Sequence, residues 1–316
     1  MELKRGILIH PGELDARWEA RVLASSLTSF GLHPAGGLGA EATLEAMRGD
    51  WNRLAPHLAA IRAAGVEIEH EMHALRWMLP ASEFAAHPDW FRMNERGERT
   101  TDFNLCPSNS DALAFVAERA ETLARLFPSS NHRYHFWIDD VRRGGCRCAA
   151  CRALSEADQA MRIYNAILAG VRRADPLGTQ AYLAYHGTLA APRRVGPETG
   201  IFLEYAPIER DWARPLDDAD SEANRAVTAP LGELLACFGT AGASACEYWL
   251  DNSLLSRWKK PPKRYVPCAG VYRRDAEMYG RLGFSRAVTF ACYLGADYEA
   301  LWGEADIDFY LQPGRA

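Results

Sequence analysis

Short apolar runs alternate with amphipathic stretches along the whole of this 316-residue chain, and that alternation is its strongest constraint. Candidate strands fall at about 6–10, 28–33, 66–73, 133–139, 179–186, 200–206, 244–250 and 286–293. Helical patterns such as DARWEARVLASSL, SDALAFVAERAETLARLF and LGELLACFG separate most of them. Regular strand–helix alternation calls for a parallel sheet with right-handed crossovers. Eight such units in about 300 residues predict an α/β fold of one domain, a closed (β/α)8 TIM barrel. An open doubly wound sheet is the competing arrangement, but no glycine-rich phosphate fingerprint follows the first strand. The fifth unit is the weakest, because GTLAAPRRVGPETG is short and proline-rich for a full helix. Extended loops are expected after the third strand, at about 75–110, and after the fourth, at about 140–155.

Charge narrows the partners. Lys and Arg number 36 against 41 Asp and Glu, a net charge of −5, and no basic block stands out, so no nucleic-acid partner is expected. The N-terminal MELKRGILIHPGELDARWEA is too charged after Ile9 for a signal peptide. No apolar run approaches the roughly 20 residues that cross a bilayer. These features predict a cytoplasmic protein without a membrane partner, and nothing in the sequence indicates an oligomeric state.

In a barrel, function gathers where strands end, on the C-terminal face. Here those ends are polar. The first two strands end at His10 and His33. Glu69, Glu71 and His73 share one alternating face of the third, with His70 on the other face, a structural position. Asp139 and Asp140 close the fourth, His186 the fifth, and Glu204-Tyr205 the sixth, while Glu247, Trp249 and Asp251 alternate along the seventh. One strand-end Asp is more often a loop cap than a catalyst, and one aromatic more often core than platform. Polar ends on nearly every strand are harder to dismiss, because buried ionisable groups are costly unless paired or used.

Carboxylates, imidazoles and aromatics together suit glycoside hydrolysis, in which a carboxylic acid protonates the leaving oxygen and a second carboxylate stabilises, attacks or activates water. Asp139 or Asp140 is the candidate acid. Alternation favours Asp139 if Trp137 faces inward, and both stay open. Glu247, across the mouth, is the first candidate partner and Glu204 the second. His10, His33, Glu71, His73, His186, Tyr205, Trp249 and Asp251 are the candidate sugar-binding set, for a small-molecule or oligosaccharide substrate and no organic cofactor. Two rival readings are a metal-dependent sugar isomerase or hydrolase, with Glu71, His73, His186 and Glu204 as ligands, and a non-catalytic saccharide-binding barrel.

Cys146, Cys148 and Cys151 form C-x-C-x2-C, and Cys106 lies in the preceding long loop. In a reducing compartment such a cluster suggests metal more than disulfides. Four thiolates make a closed structural zinc site, expected here to staple the two loops. A cystine bridge and free thiols are the alternatives.

HPDWFRMNERGERTTDFNLCPSN, FWIDDVRRGGCRCAACRALSEADQ, AYLAYHGTL and GIFLEYAPIERDW together resemble a bacterial family of glycoside-hydrolase-like barrels found with carbohydrate-active enzymes. That barrel is similar to those of α-glucuronidases and β-hexosaminidases. The resemblance covers about residues 5 to 295, and it implies the barrel and a carbohydrate context. Hexosaminidase-like barrels carry an Asp-Glu pair after strand four; this chain has Asp139-Asp140 instead.

Overall fold

The computed structural model describes residues 3–312. Every predicted strand is present: β1 (Lys4–Ile9), β2 (Ser29–Leu32), β3 (Glu67–His73), β4 (Arg133–Trp137), β5 (Thr179–Ala184), β6 (Ile201–Tyr205), β7 (Ser244–Glu247) and β8 (Arg286–Phe290). They close in chain order into one parallel barrel, with β8 returning to pair with β1. Helices cover the outside. Those at Trp51–Ala63, Ser110–Leu126, Glu156–Ala174 and Ala269–Arg281 lie close to where the sequence pattern puts them. Local chemistry starts them. Asn109 accepts hydrogen bonds from the backbone N–H groups of Asp111 and Ala112, and Ser155 and Asp158 form a capping box.

Two details depart from the pattern. A helix at Ala40–Gly49 precedes the one at Trp51–Ala63, inside a glycine-rich stretch whose periodicity is too short to stand out. The fifth unit has only a 3-10 turn at His186–Thr188, as its proline-rich connection implies.

The helices after β3 and β4 pack tightly. A Cβ on Gly170 would lie 2.0 Å from the carbonyl oxygen of Ala117, so only glycine permits this approach. The close crossing brings the loops 74–109 and 138–155 together at the mouth, where their cysteines meet.

The barrel interior is unusually polar for a fold whose centre is normally filled by branched apolar side chains. Arg286 donates to Glu69 at 2.6 Å and also pairs with Glu67, while Arg133 lies over the Phe202 ring. Above them His135 bonds Glu204 at 2.9 Å, and the Trp137 indole N–H donates to Glu204 at 2.7 Å. Apolar packing is concentrated outside the strands, where Leu54, Ile61, Val116, Leu123, Ile163 and Ile167 are fully buried. The interior therefore forms a polar layer of ion pairs and hydrogen bonds below the mouth.

Candidate active site

A cavity of about 300 Å3 opens at the C-terminal end of the barrel. Trp137, Cys246 and Phe290 belong to its floor; His10, His33, His73, Asp140, Tyr185, Tyr248, Asp251, Trp258 and Tyr293 belong to its wall and lip. Of the residues predicted from sequence, five face this cup: His10, His33, His73, Asp140 and Asp251.

Asp140, not Asp139, reaches it. β4 stops at Trp137, so strict alternation ends before the acidic pair. Asp139 is captured by the β3 loop. Asn104 N–H donates to its Oδ2 at 2.6 Å, Arg76 N–H donates to its Oδ1 at 3.1 Å, and its own N–H donates to Asn104 Oδ1 at 3.0 Å. Burial pushes Asp139 up to about 6. It pins two loops and turns the next residue into the cup. Asp140 then accepts a hydrogen bond at Oδ1 from the Tyr185 hydroxyl, 3.0 Å away. A Cβ on Gly36 would stand 3.1 Å from Asp140 Oδ2 and 2.8 Å from the His73 ring, so the bare backbone there makes room for both.

Asp251 lies beyond the end of β7. Its Oδ1 accepts from Ser253 N–H at 2.9 Å, the Ser253 hydroxyl at 2.6 Å and Leu254 N–H at 3.2 Å. Burial outweighs those bonds and raises it to about 6. Among the described residues no hydrogen bond reaches its Oδ2.

The three histidines are set alike. His10 Nδ1 donates to the carbonyl of His33 at 2.9 Å, His33 Nδ1 to that of Glu71 at 2.8 Å, and His73 Nδ1 to that of Ile138 at 2.7 Å. A carbonyl only accepts, so Nδ1 carries the proton in each ring and Nε2 is the free position. Neighbouring ring centroids are 6.0 Å apart. Burial lowers His10 and His33 from the ordinary imidazole range, His33 well below it, where His73 and His10 add to the effect.

The other predicted residues lie elsewhere. Glu71 and Glu204 are inside the barrel but fully buried beneath the cup. Burial, with the charges of Glu204 and Glu69, holds Glu71 well above the usual carboxyl range. Glu247 was expected to face Asp140 across the mouth. Instead Cys246 points inward, and Glu247 points behind the wall, between Arg210 Nη1 at 3.0 Å and the Tyr279 hydroxyl at 2.6 Å. Trp249 shares that outer face, donating to Asp275 at 2.9 Å, and the Tyr205 hydroxyl donates to the carbonyl of Val227 at 2.8 Å. His186 sits under Tyr185, with ring centroids 3.9 Å apart, and bonds Glu209 at 2.8 Å. It supports the tyrosine that holds Asp140.

Tyr185 and Trp258 are lining residues that the strand-end pattern does not single out, whereas Tyr248, beside Trp249, is one of the rings it offers for sugar stacking, and Tyr293 lies where it ends the eighth strand. Tyr185 and Tyr248 each precede a residue chosen from sequence, one step along the chain. Backbone conformation marks the others: among the described residues, five of the six non-glycine positions with positive φ are at the mouth, namely Asn104, His186, Arg257, Trp258 and Tyr293. Such backbone strain persists where surrounding structure fixes it, commonly at binding sites.

The cysteines converge as expected. Cys106, Cys146, Cys148 and Cys151 have their sulfurs within 4.8 Å of one another, and Cys106 lies 3.7 Å from Cys148 and 3.8 Å from Cys151. Sulfurs about 2.3 Å from a tetrahedral zinc stand roughly 3.8 Å apart. All four are free thiols, so the donor set fits a metal. Cys106 is two residues beyond Asn104, which ties the cluster to Asp139 and hence to the cup.

Structural comparison finds the same closed barrel in solved glycoside hydrolases, a likeness of fold. A glycoside hydrolase family 5 enzyme from Prevotella bryantii B14 superposes with a TM-score of 0.54 at 11% identity, over 95% of this chain and 92% of that one. A β-galactosidase from the psychrophilic Marinomonas ef1 gives 0.52 at 12% identity, over 91% of this chain and 54% of that one. The chain thus spans about half the length of that β-galactosidase. Residues 45–229 match the domain of unknown function DUF4838, and with more than half its length in the match the chain belongs to that family. No curated protein matches the sequence. Among the described residues no helix is long and apolar enough to cross a membrane.

Proposed function

We propose that this chain is a carbohydrate-active hydrolase that cleaves a glycosidic bond between Asp140 and Asp251. The observation that carries the reading is the pairing of two carboxylates on one aromatic-lined cup, each anchored through Oδ1 and open at Oδ2. Asp251, raised to about 6, is suited to give a proton to the leaving oxygen. Asp140, steadied by Tyr185, is suited to support the positive charge at the anomeric carbon and to direct water or attack. Trp137, Tyr248, Tyr293 and Trp258 supply ring faces for an oligosaccharide. Aryl-glycosides test this directly. Asp140→Asn and Asp251→Asn are each expected to lose about 10²–10⁴-fold in kcat, and undiminished turnover in both would remove the assignment.

The four cysteines complete the proposal as a structural zinc site. Zinc held by Cys106, Cys146, Cys148 and Cys151 would join the loops after β3 and β4 and so fix the Asn104–Asp139 clip. Elemental analysis is expected to find one zinc per chain, lost in the Cys146→Ser, Cys148→Ser double variant. Metal absent from the parent, or retained in that variant, would contradict it.

A further inference from the structure

We infer that the cup selects an uncharged sugar ring, read through its hydroxyl donors, and rejects sugars that carry a carboxylate, sulfate or phosphate. The inference rests on the carbohydrate reading above and narrows its substrate class.

Hydrogen-bond donors, acceptors and charge at the cup decide the selection. His10, His33 and His73 each spend Nδ1–H on a backbone carbonyl, so each offers Nε2 to the cavity. The free position of a neutral imidazole is a lone pair, an acceptor. Asp140 and Asp251 add an open Oδ2 each. Acceptor positions at His10, His33 and Asp140, joined by Asp251 when it is ionised, therefore face one cavity, and a sugar hydroxyl is the donor that can meet them. The three imidazoles do not gather as a metal would require: among the described residues, their ring nitrogens form no cluster comparable to that of the cysteine sulfurs.

Charge points the same way. Among the described residues no Arg or Lys lines the cup. Two basic groups near its edge are engaged, and Arg257, on the turn before Trp258, is exposed outside the lining. Lys260 pairs with Asp297 and lies over the Tyr293 ring, lining the neighbouring depression, and Arg142 pairs with Glu209 at 3.4 Å. Planar anions are ordinarily bound by bidentate arginine, which this wall lacks. An anionic sugar would meet Asp140 and Asp251 in a partly desolvated space, where like charges repel most. The similarity to α-glucuronidase barrels would suggest uronic acids; the lining of this cup does not.

Matched pairs provide the test, because glucose and glucuronate, or galactose and galacturonate, differ only at C6. Binding to the full chain is measured by calorimetry at neutral pH, with millimolar ligand. The neutral member of at least one pair is expected to bind 10-fold or more tightly than its acid. In Asp251→Asn the discrimination is expected to shrink, which a purely steric preference would not do. Acids that bind as tightly as their neutral partners would overturn the inference and leave the carbohydrate reading intact. If neither member of any pair binds, both fall.

Discussion

Asp251 and Glu247 stand four residues apart at the end of β7, and both are buried carboxyls raised by that burial, to about 6 and about 7. One has an oxygen open to the cup. The other is enclosed behind the barrel wall, where Arg210 bridges it to Asp275, 2.7 Å from the guanidinium. A perturbed pKa alone would select either as a catalytic acid. Access separates them. Glu247 has no route to a substrate, and its proton affinity reflects two carboxyls sharing a single guanidinium in a dry site. Asp251, also raised by burial, holds its proton where a leaving oxygen can reach it.

The largest expected effect tests that division. Asp140→Asn and Asp251→Asn should remove about 10²–10⁴ of the rate and leave the denaturation midpoint close to the parent's. Arg210→Met should do the reverse. It strands Glu247 and Asp275 without their cation, and breaking a buried pair in this way costs about 3–5 kcal/mol. Urea unfolding should show that loss, while kcat per folded molecule stays near the parent value. A kcat loss in Arg210→Met without loss of stability would mean that the cluster behind the wall takes part in the chemistry.

The pH dependence of stability should also originate behind the wall. Folding raises Glu247 from 4.5 to about 7, so between those values the folded chain binds more protons than the unfolded one. Stability from this group is therefore fully present below about pH 4.5 and lost as pH rises through 7. Glu247→Gln keeps the protonated form's neutrality at every pH. Relative to the parent, the variant should gain on the order of 3 kcal/mol between pH 4 and pH 8, from 1.36 kcal/mol per unit. Parallel stability curves for the two proteins would show that Glu247 does not titrate there.

The same pair shows what the sequence could reveal. All eight strands were legible, because a period of two and the turns between strands are local properties. The convergence of His10, His33, His73, Asp140 and Asp251 followed from the barrel alone. The in-or-out choice after a strand's last residue was not legible. Alternation carried past Trp137 puts Asp139 inward, yet Asn104, some thirty-five residues away, captures it. Carried past Glu247, it keeps Glu247, Trp249 and Asp251 together, yet the chain turns and only Asp251 reaches the cup. Both errors arise where the ladder of backbone hydrogen bonds stops and side-chain bonds from another loop set the direction. The cysteine cluster escaped this problem, because four thiols in two adjacent loops need no register to be recognised.

The smallest effect concerns two tryptophans on opposite sides of the wall. Trp258 lines the lip with 61% of its surface exposed and a backbone φ of 54°, held by its N–H donating to the carbonyl of Ser253 at 2.7 Å. An indole left in water on a strained turn gains little for the fold, and its ring face is available to a sugar beyond the one held in the cup. Trp249, buried against Tyr272, Tyr279 and Tyr310 and bonded to Asp275, serves the fold. Trp258→Ala should raise KM several-fold for oligosaccharides, by roughly 1 kcal/mol of ring contact, with kcat, stability and the KM of small aryl-glycosides little changed. Trp249→Phe should leave KM alone and lower stability through the lost bond to Asp275. An equal KM change for long and short substrates in Trp258→Ala would place that indole inside the cleavage subsite, and the lip would then belong to the cup itself.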